Sequence, residues 1–150
     1  MTTNLPENMH SVTPHFMVDG ADKAIALYEK ALNAELIGRI EMPGTGTVMH
    51  AMFKVGNSMM FISDPVPDSD RTPPQEISSA AFYVYVDDVD TAYATAVSAG
   101  MKGISAPEDM FWGDRTAVLH DGFGYNWTLA TFQREVSPEE MTEMMSQMSE

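Results

Sequence analysis

Apolar and polar residues alternate along "VTPHFMV" (12–18), which places Val12, Phe16 and Val18 on one strand face and Thr13, His15 and Met17 on the other. A helical stripe follows at Ala24, Tyr28, Ala31 and Leu32. Strand-like runs then come at about 35–42, 47–55 and 58–63. The pattern recurs. Phe82, Val84 and Val86 make an apolar face suited to lie under a helix, and Ala81, Tyr83 and Tyr85 point the other way. Val89, Ala92, Tyr93 and Ala96 form the second helical stripe, before further strands at about 102–105, 115–120 and 126–132.

The recurrence extends to individual residues. "VDGADKAIA" from Val18 and "VDDVDTAYA" from Val86 agree at Val, Asp, Asp, Ala and Ala, and the same offset of 68 pairs Ala31 with Ala99 and Gly56 with Gly124. A β-α-β-β-β module used twice accounts for this. Module 1 spans about 12–63, a proline-rich linker 65–76, and module 2 about 79–132, within a single domain of 150 residues. Asp19 and Asp87 stand where helix N-caps are wanted. Asp22 and Asp90, three residues on, suit the positive first turn. Asn33 and Gly100 suit left-handed helix stops. In "SPEEMTEMMSQMSE", Ser137 is an N-cap, Pro138 the first helical residue and Glu140 the third. A C-terminal helix is expected over about 138–149, with Met141, Met144, Met145 and Met148 as a stripe that packs on the domain or on a partner subunit.

Eight Lys plus Arg against 22 Asp plus Glu give a net charge of −14, which argues against nucleic acid and anionic membrane partners; such a surface would favour a cationic ligand, but solubility alone accounts for it more readily. With no cysteine there is neither a thiolate metal site nor a cysteine nucleophile. No apolar run reaches membrane-spanning length and the N-terminus lacks signal-peptide features, so a cytoplasmic location is expected. "GTGT" around Gly44 lacks the later glycine and helix start of a phosphate loop.

"YEKALNAE", "VDDVDTAYATAVSAGM" and "FWGDRTAVLHDGFGYNW", in that order, resemble the vicinal oxygen chelate superfamily of glyoxalases, bleomycin-resistance proteins and extradiol dioxygenases. "FWGDR", Met49-His50 and the Ser-Pro-Glu-Glu-Met tail are similar to its PhnB-like members. The resemblance implies an α+β fold in which two tandem βαβββ modules form a cup-shaped mixed sheet holding the ligand site. In metal-using members, ligands come from the start of each first strand and from each last strand. Here those positions carry Thr13, Ala81, Thr128 and Met60, or Phe61 if the register slips. None is a histidine or a carboxylate, so no metal and no cofactor are expected.

Alternation turns His15 and His50 toward the cup interior, with His120 as a possible third imidazole. Tyr83 offers a hydroxyl inside the cup. In "EDMFWGDR", read as a loop over 108–115, either Phe111 and Trp112 roof a ligand while Arg115 forks a carboxylate or phosphonate, or Trp112 packs on its own domain and Arg115 pairs with Asp114 or Asp121. The leading expectation is a metal-free, homodimeric small-molecule-binding protein whose pocket uses His15, His50, Tyr83, Phe111, Trp112, Arg115 and Thr128. The alternatives are a metal-dependent glyoxalase- or lyase-like enzyme with His15, His50 or His120 as displaced ligands, and a filled cup whose methionine-rich tail mediates association.

Overall fold

The computed structural model describes residues 4–149. Module 1 runs β1 (His15–Met17), α1 (Ala21–Ala31), β2 (Glu35–Glu41), β3 (Val48–Val55) and β4 (Ser58–Ser63). Module 2 runs β5 (Phe82–Tyr85), α2 (Val89–Ala99), β6 (Lys102–Asp109), β7 (Asp114–His120) and β8 (Asn126–Phe132), and α3 (Pro138–Met148) follows. Each module is a four-stranded mixed sheet, in the orders β1-β4-β3-β2 and β5-β8-β7-β6. The first and last strands of each module pair in parallel and the remaining neighbours antiparallel. No ladder joins the two sheets, so β1 and β5 each keep one open edge among the described residues.

One apolar core serves both modules, because the helix-bearing faces of the sheets pack on each other. Phe16 and Phe82, one from each first strand, have ring centroids 4.8 Å apart. Tyr28 of α1 lies 5.0 Å from Trp127 of β8, and both are fully buried. Burying side chains of this size is worth roughly 1.5–3 kcal/mol each. The polar groups carried into this core are satisfied there: the Tyr125 hydroxyl donates to the Met17 carbonyl at 3.0 Å.

Helix starts differ from expectation. The N-cap of α1 is Gly20, in left-handed backbone at φ 99°, and not Asp19. The free amides there are taken from afar by Asp64, whose Oδ1 accepts from Gly20 (2.9 Å) and Ala21 (2.7 Å) while Oδ2 accepts from Val48 (2.8 Å). In α2 the cap is Asp88, not Asp87, with Oδ1 accepting from Asp90 and Thr91. Asn33 and Gly100 do take positive φ, and Ser137 accepts from the Glu140 amide as a cap should.

Two strand readings also change. Val12 lies outside β1 and is 82% exposed. β6 continues to Asp109, so the expected 108–115 loop shrinks to the turn 110–113. Bulges in β2 and β6 interrupt the alternation that the sequence reading relied on. α3 buries no residue, and Met145 and Met148 are exposed, so the methionine stripe is not packed into the domain core.

Candidate functional site

Each sheet has a second face, turned away from the shared core, and the candidate residues other than Arg115 divide between these two faces. On module 2, Tyr83 and Tyr85 sit two apart on β5 and so project together. Asp114 opens β7 opposite Phe132 of β8, and Thr128 lies opposite Tyr83. The Asp114 side chain is buried and gathers the group: its Oδ2 accepts from the Tyr83 hydroxyl at 2.5 Å and from the Tyr85 hydroxyl at 2.9 Å. Trp112 Nε1 donates to the Tyr83 oxygen at 3.1 Å. Burial, then the hydrogen bond to Asp114, pushes the Tyr83 phenol up to about 12. The bond to Asp114 also raises the exposed Tyr85 phenol. Both hydroxyls therefore stay protonated donors at neutral pH.

The turn that carries Trp112 is tightly held. Met110 donates to the Asp114 carbonyl, Gly113 to the Met110 carbonyl, and Gln133 and Arg134 both donate to the Gly113 carbonyl. Gly113 has φ 103°, and a Cβ there would lie 2.1 Å from the Arg134 carbonyl oxygen, so only glycine fits. Phe111 stands edge-on to Trp112 at 5.1 Å.

Arg115 is not part of this face. It follows Asp114 in the strand and points to the opposite side, where its guanidinium forks onto Asp90 of α2 (2.8 and 3.0 Å) and reaches Asp109 at 3.1 Å. Neither Asp114 nor Asp121 is its partner. Module 1 holds an analogous clamp, with Arg39 joining Asp22 of α1 to Glu41. Asp22 and Asp90 thus anchor arginines as well as sitting in first helical turns.

On module 1, His15 and His50 do share the outer face, with ring centroids 5.8 Å apart, and Phe61 lies 4.7 Å from His50. Burial, followed by the nearby Arg71 charge and then His50, lowers the His15 pKa from its ordinary value. Residues Pro6, Glu7 and Met9 line a cavity of about 550 Å³ over this face together with His50, Met52 and Phe61. Thr13 and Ala81 precede their strands. Met60 is buried in the core, so Phe61 is the last-strand residue that faces outward beside His15, as Thr128 does beside Tyr83. The 68-residue offset has slipped to 67 by that strand.

The third imidazole is elsewhere. His120 lies on β7 of module 2, where its Nδ1 accepts from the Gly122 amide at 3.0 Å. Among the described residues no three His, Asp or Glu side chains converge as a metal-binding group. The donor set at the superfamily's coordination positions is therefore a hydroxyl, a phenyl ring, a methyl and a second hydroxyl, which does not fit a divalent ion.

Sequence reasoning missed Asp114, Tyr85 and Phe132. Tyr85 was accessible from its spacing to Tyr83. Adjacency in sequence offers Asp114 only to Arg115, and its meeting with β5 depends on strand order.

The comparisons with known proteins agree with this architecture. Residues 9–129 match the Glyoxalase/Bleomycin resistance protein/Dioxygenase superfamily. An uncharacterized protein of Mycobacterium bovis is 33% identical over 141 residues, covering 91% of this chain and 92% of its own length. The solved PhnB protein of Bacillus cereus superposes with a TM-score of 0.64 at 17% identity, over 81% of this chain and 99% of its own. FosX of Listeria monocytogenes, a fosfomycin resistance protein solved with Mn(II) and sulfate, gives 0.64 at 14% identity over 95% and 99%. No helix among the described residues is long and apolar enough to cross a membrane. With a matched superfamily covering most of its length and two βαβββ modules in tandem, this chain belongs to the glyoxalase/bleomycin resistance protein/dioxygenase superfamily.

Proposed function

We propose that this chain is a cytoplasmic small-molecule-binding protein that works without a divalent ion such as the Mn(II) with which the similarly folded FosX was solved. The observation that carries the reading is a substitution of chemistry on the outer faces. Where metal-using members place imidazoles and carboxylates, this chain has Thr13, Phe61, Ala81 and Thr128. Beside those positions stands a polar-tipped aromatic cluster of Tyr83, Tyr85 and Trp112 on Asp114. Aromatic bodies with a few fixed polar groups are what small-molecule sites are made of. Lewis-acid activation of vicinal oxygens has no support in this donor set.

The protein works as a homodimer in this reading. Within one chain the faces bearing His15 and Tyr83 belong to separate sheets with open edges at β1 and β5. A second copy that brings an outer face of module 1 against one of module 2 completes an enclosed cup. Exposed Ile40 and Ile104 are apolar positions such a pairing would cover.

The His15–His50 pair is the observation favouring the metal-dependent alternative, since two imidazoles are already opposed. Metal analysis of protein purified without chelators, together with NMR screening of a neutral fragment library on the full chain, separates the two. Localised shifts around Tyr83, Thr128 or His50 with no stoichiometric metal are expected. A stoichiometric divalent ion perturbing His15 and His50, or a screen with no localised shift, overturns the proposal. Sedimentation equilibrium tests the dimer, which a monomer at high micromolar concentration would exclude.

A further inference from the structure

We infer that the outer face of module 2 is a subsite for an organic ammonium group, held over the faces of Tyr85, Trp112 and Phe132 above the carboxylate of Asp114. This rests on the small-molecule reading above and names the ligand class.

The hydrogen bonding of the cluster is the first argument. Trp112 donates to Tyr83, Tyr83 donates to Asp114, and Tyr85 donates to Asp114. The polar edges of the rings are thus spent on one another. What remains to offer a ligand is their π faces, which carry the negative part of the ring quadrupole and attract cations. Tyr83 stands behind this wall of faces: its ring meets that of Tyr85 edge-on at 61° with centroids 5.5 Å apart, which supports the Tyr85 ring from one side.

The carboxylate supplies the second. Both phenols use Oδ2, and no hydrogen bond among the described residues uses Oδ1. A ligand covering this face with a neutral apolar group would bury that oxygen without a partner, at a cost of about 1–3 kcal/mol. An anion would be repelled by it. A neutral donor would satisfy the oxygen alone, whereas a cation is attracted by the oxygen and by the ring faces together.

Surrounding charge agrees. A cavity of about 680 Å³ opens from Tyr85, Trp112, Asp114 and Phe132 toward the segment leading into α3. It is lined by the acidic Asp114, Glu135 and Glu140 against one cation, Arg134, which is itself paired with Glu140 at 3.6 Å. The neighbouring Arg115 points away and is fully engaged with Asp90 and Asp109. The whole chain carries −14.

Three probes of similar shape test the inference: choline, its neutral isostere 3,3-dimethylbutan-1-ol, and the anion 3,3-dimethylbutanoate. With the 15N-labelled full chain, the indole cross-peaks of Trp112 and Trp127 report the outer face and the core separately. Choline should shift the Trp112 peak, leave Trp127 in place, and bind about tenfold more tightly than the alcohol. Asp114→Asn should abolish that preference. Tyr85→Leu, at an exposed ring, should weaken choline binding, and it decides the matter if the Asp114 variant loses the native Trp127 peak. Equal binding of the alcohol, tighter binding of the anion, or silence from all three probes overturns the ammonium subsite. The first two outcomes leave small-molecule binding standing, and the third leaves it to the fragment screen.

Discussion

The phenol oxygen of Tyr28 lies 2.6 Å from Asp121 Oδ2, and through this bond the first helix of one module is tied to the strand end of the other. Asp121 also accepts from Trp127 Nε1 (3.0 Å) and, on Oδ1, from the amides of Phe123 (2.7 Å) and Tyr125 (3.1 Å). A buried carboxylate with four donors tolerates little change. Tyr28→Phe removes one donor and should destabilise the fold by about 1–3 kcal/mol. Asp121→Ala strands three side-chain and backbone donors in addition and should cost more than Tyr28→Phe. Urea unfolding followed by Trp fluorescence measures both, and an unchanged midpoint for Tyr28→Phe would show that the bond contributes nothing.

The same bond gives the fold an alkaline limit. Burial, and then the Asp121 charge, raises the Tyr28 phenol far above its ordinary value of 10.0. Because the folded pKa is the higher one, the contribution to stability is complete below the unfolded value and declines as pH climbs past about 10. Tyr83, pushed up to about 12, adds a smaller loss in the same direction. Unfolding free energy measured from pH 8 to pH 11.5 should fall above pH 10, with a shallower fall in Tyr28→Phe. Equal slopes in the two proteins would contradict the assignment to Tyr28.

Gly113 fixes where Trp112 stands. Gly113→Ala meets both a positive φ and the Arg134 carbonyl, so the turn must shift, at a cost of about 1–3 kcal/mol. The Trp112 indole peak should move while that of Trp127 keeps its place. A spectrum identical to that of the unaltered chain would mean the turn has more room than its hydrogen bonds indicate.

Arg115 offers the opposite expectation. It serves the joint between α2 and the β6–β7 hairpin, so Arg115→Gln should quicken amide exchange in the first turn of α2 and leave fragment or choline binding as it was. Loss of binding with unchanged exchange would return Arg115 to the ligand site.

Much of this arrangement was readable in advance, and the failures share a cause. Strands, helices and their duplication follow from local periodicity, which is why the faces bearing His15 and His50, or Tyr83 and Tyr85, come out correctly. What depends on partners distant in sequence does not. The α1 amides are capped by Asp64 from beyond β4, a contact no spacing rule near Asp19 contains. Arg115 takes Asp90 across from another element, where adjacency favoured Asp114. The choice between Met60 and Phe61 stays open in an offset that still pairs Gly56 with Gly124, and the one-residue slip that sends Met60 inward settles it for Phe61. His120 was grouped with His15 and His50 on alternation within its own strand, but the sheets they occupy share no ladder.

The packing of Phe16, Tyr28, Phe82, Tyr125 and Trp127 into one aromatic stack makes the two halves mutually dependent for their existence. Cutting the gene at the 65–76 connector would leave each fragment with half of a dry interior turned to water. Neither half can therefore stand alone, and the smallest unit of this protein able to fold is the pair.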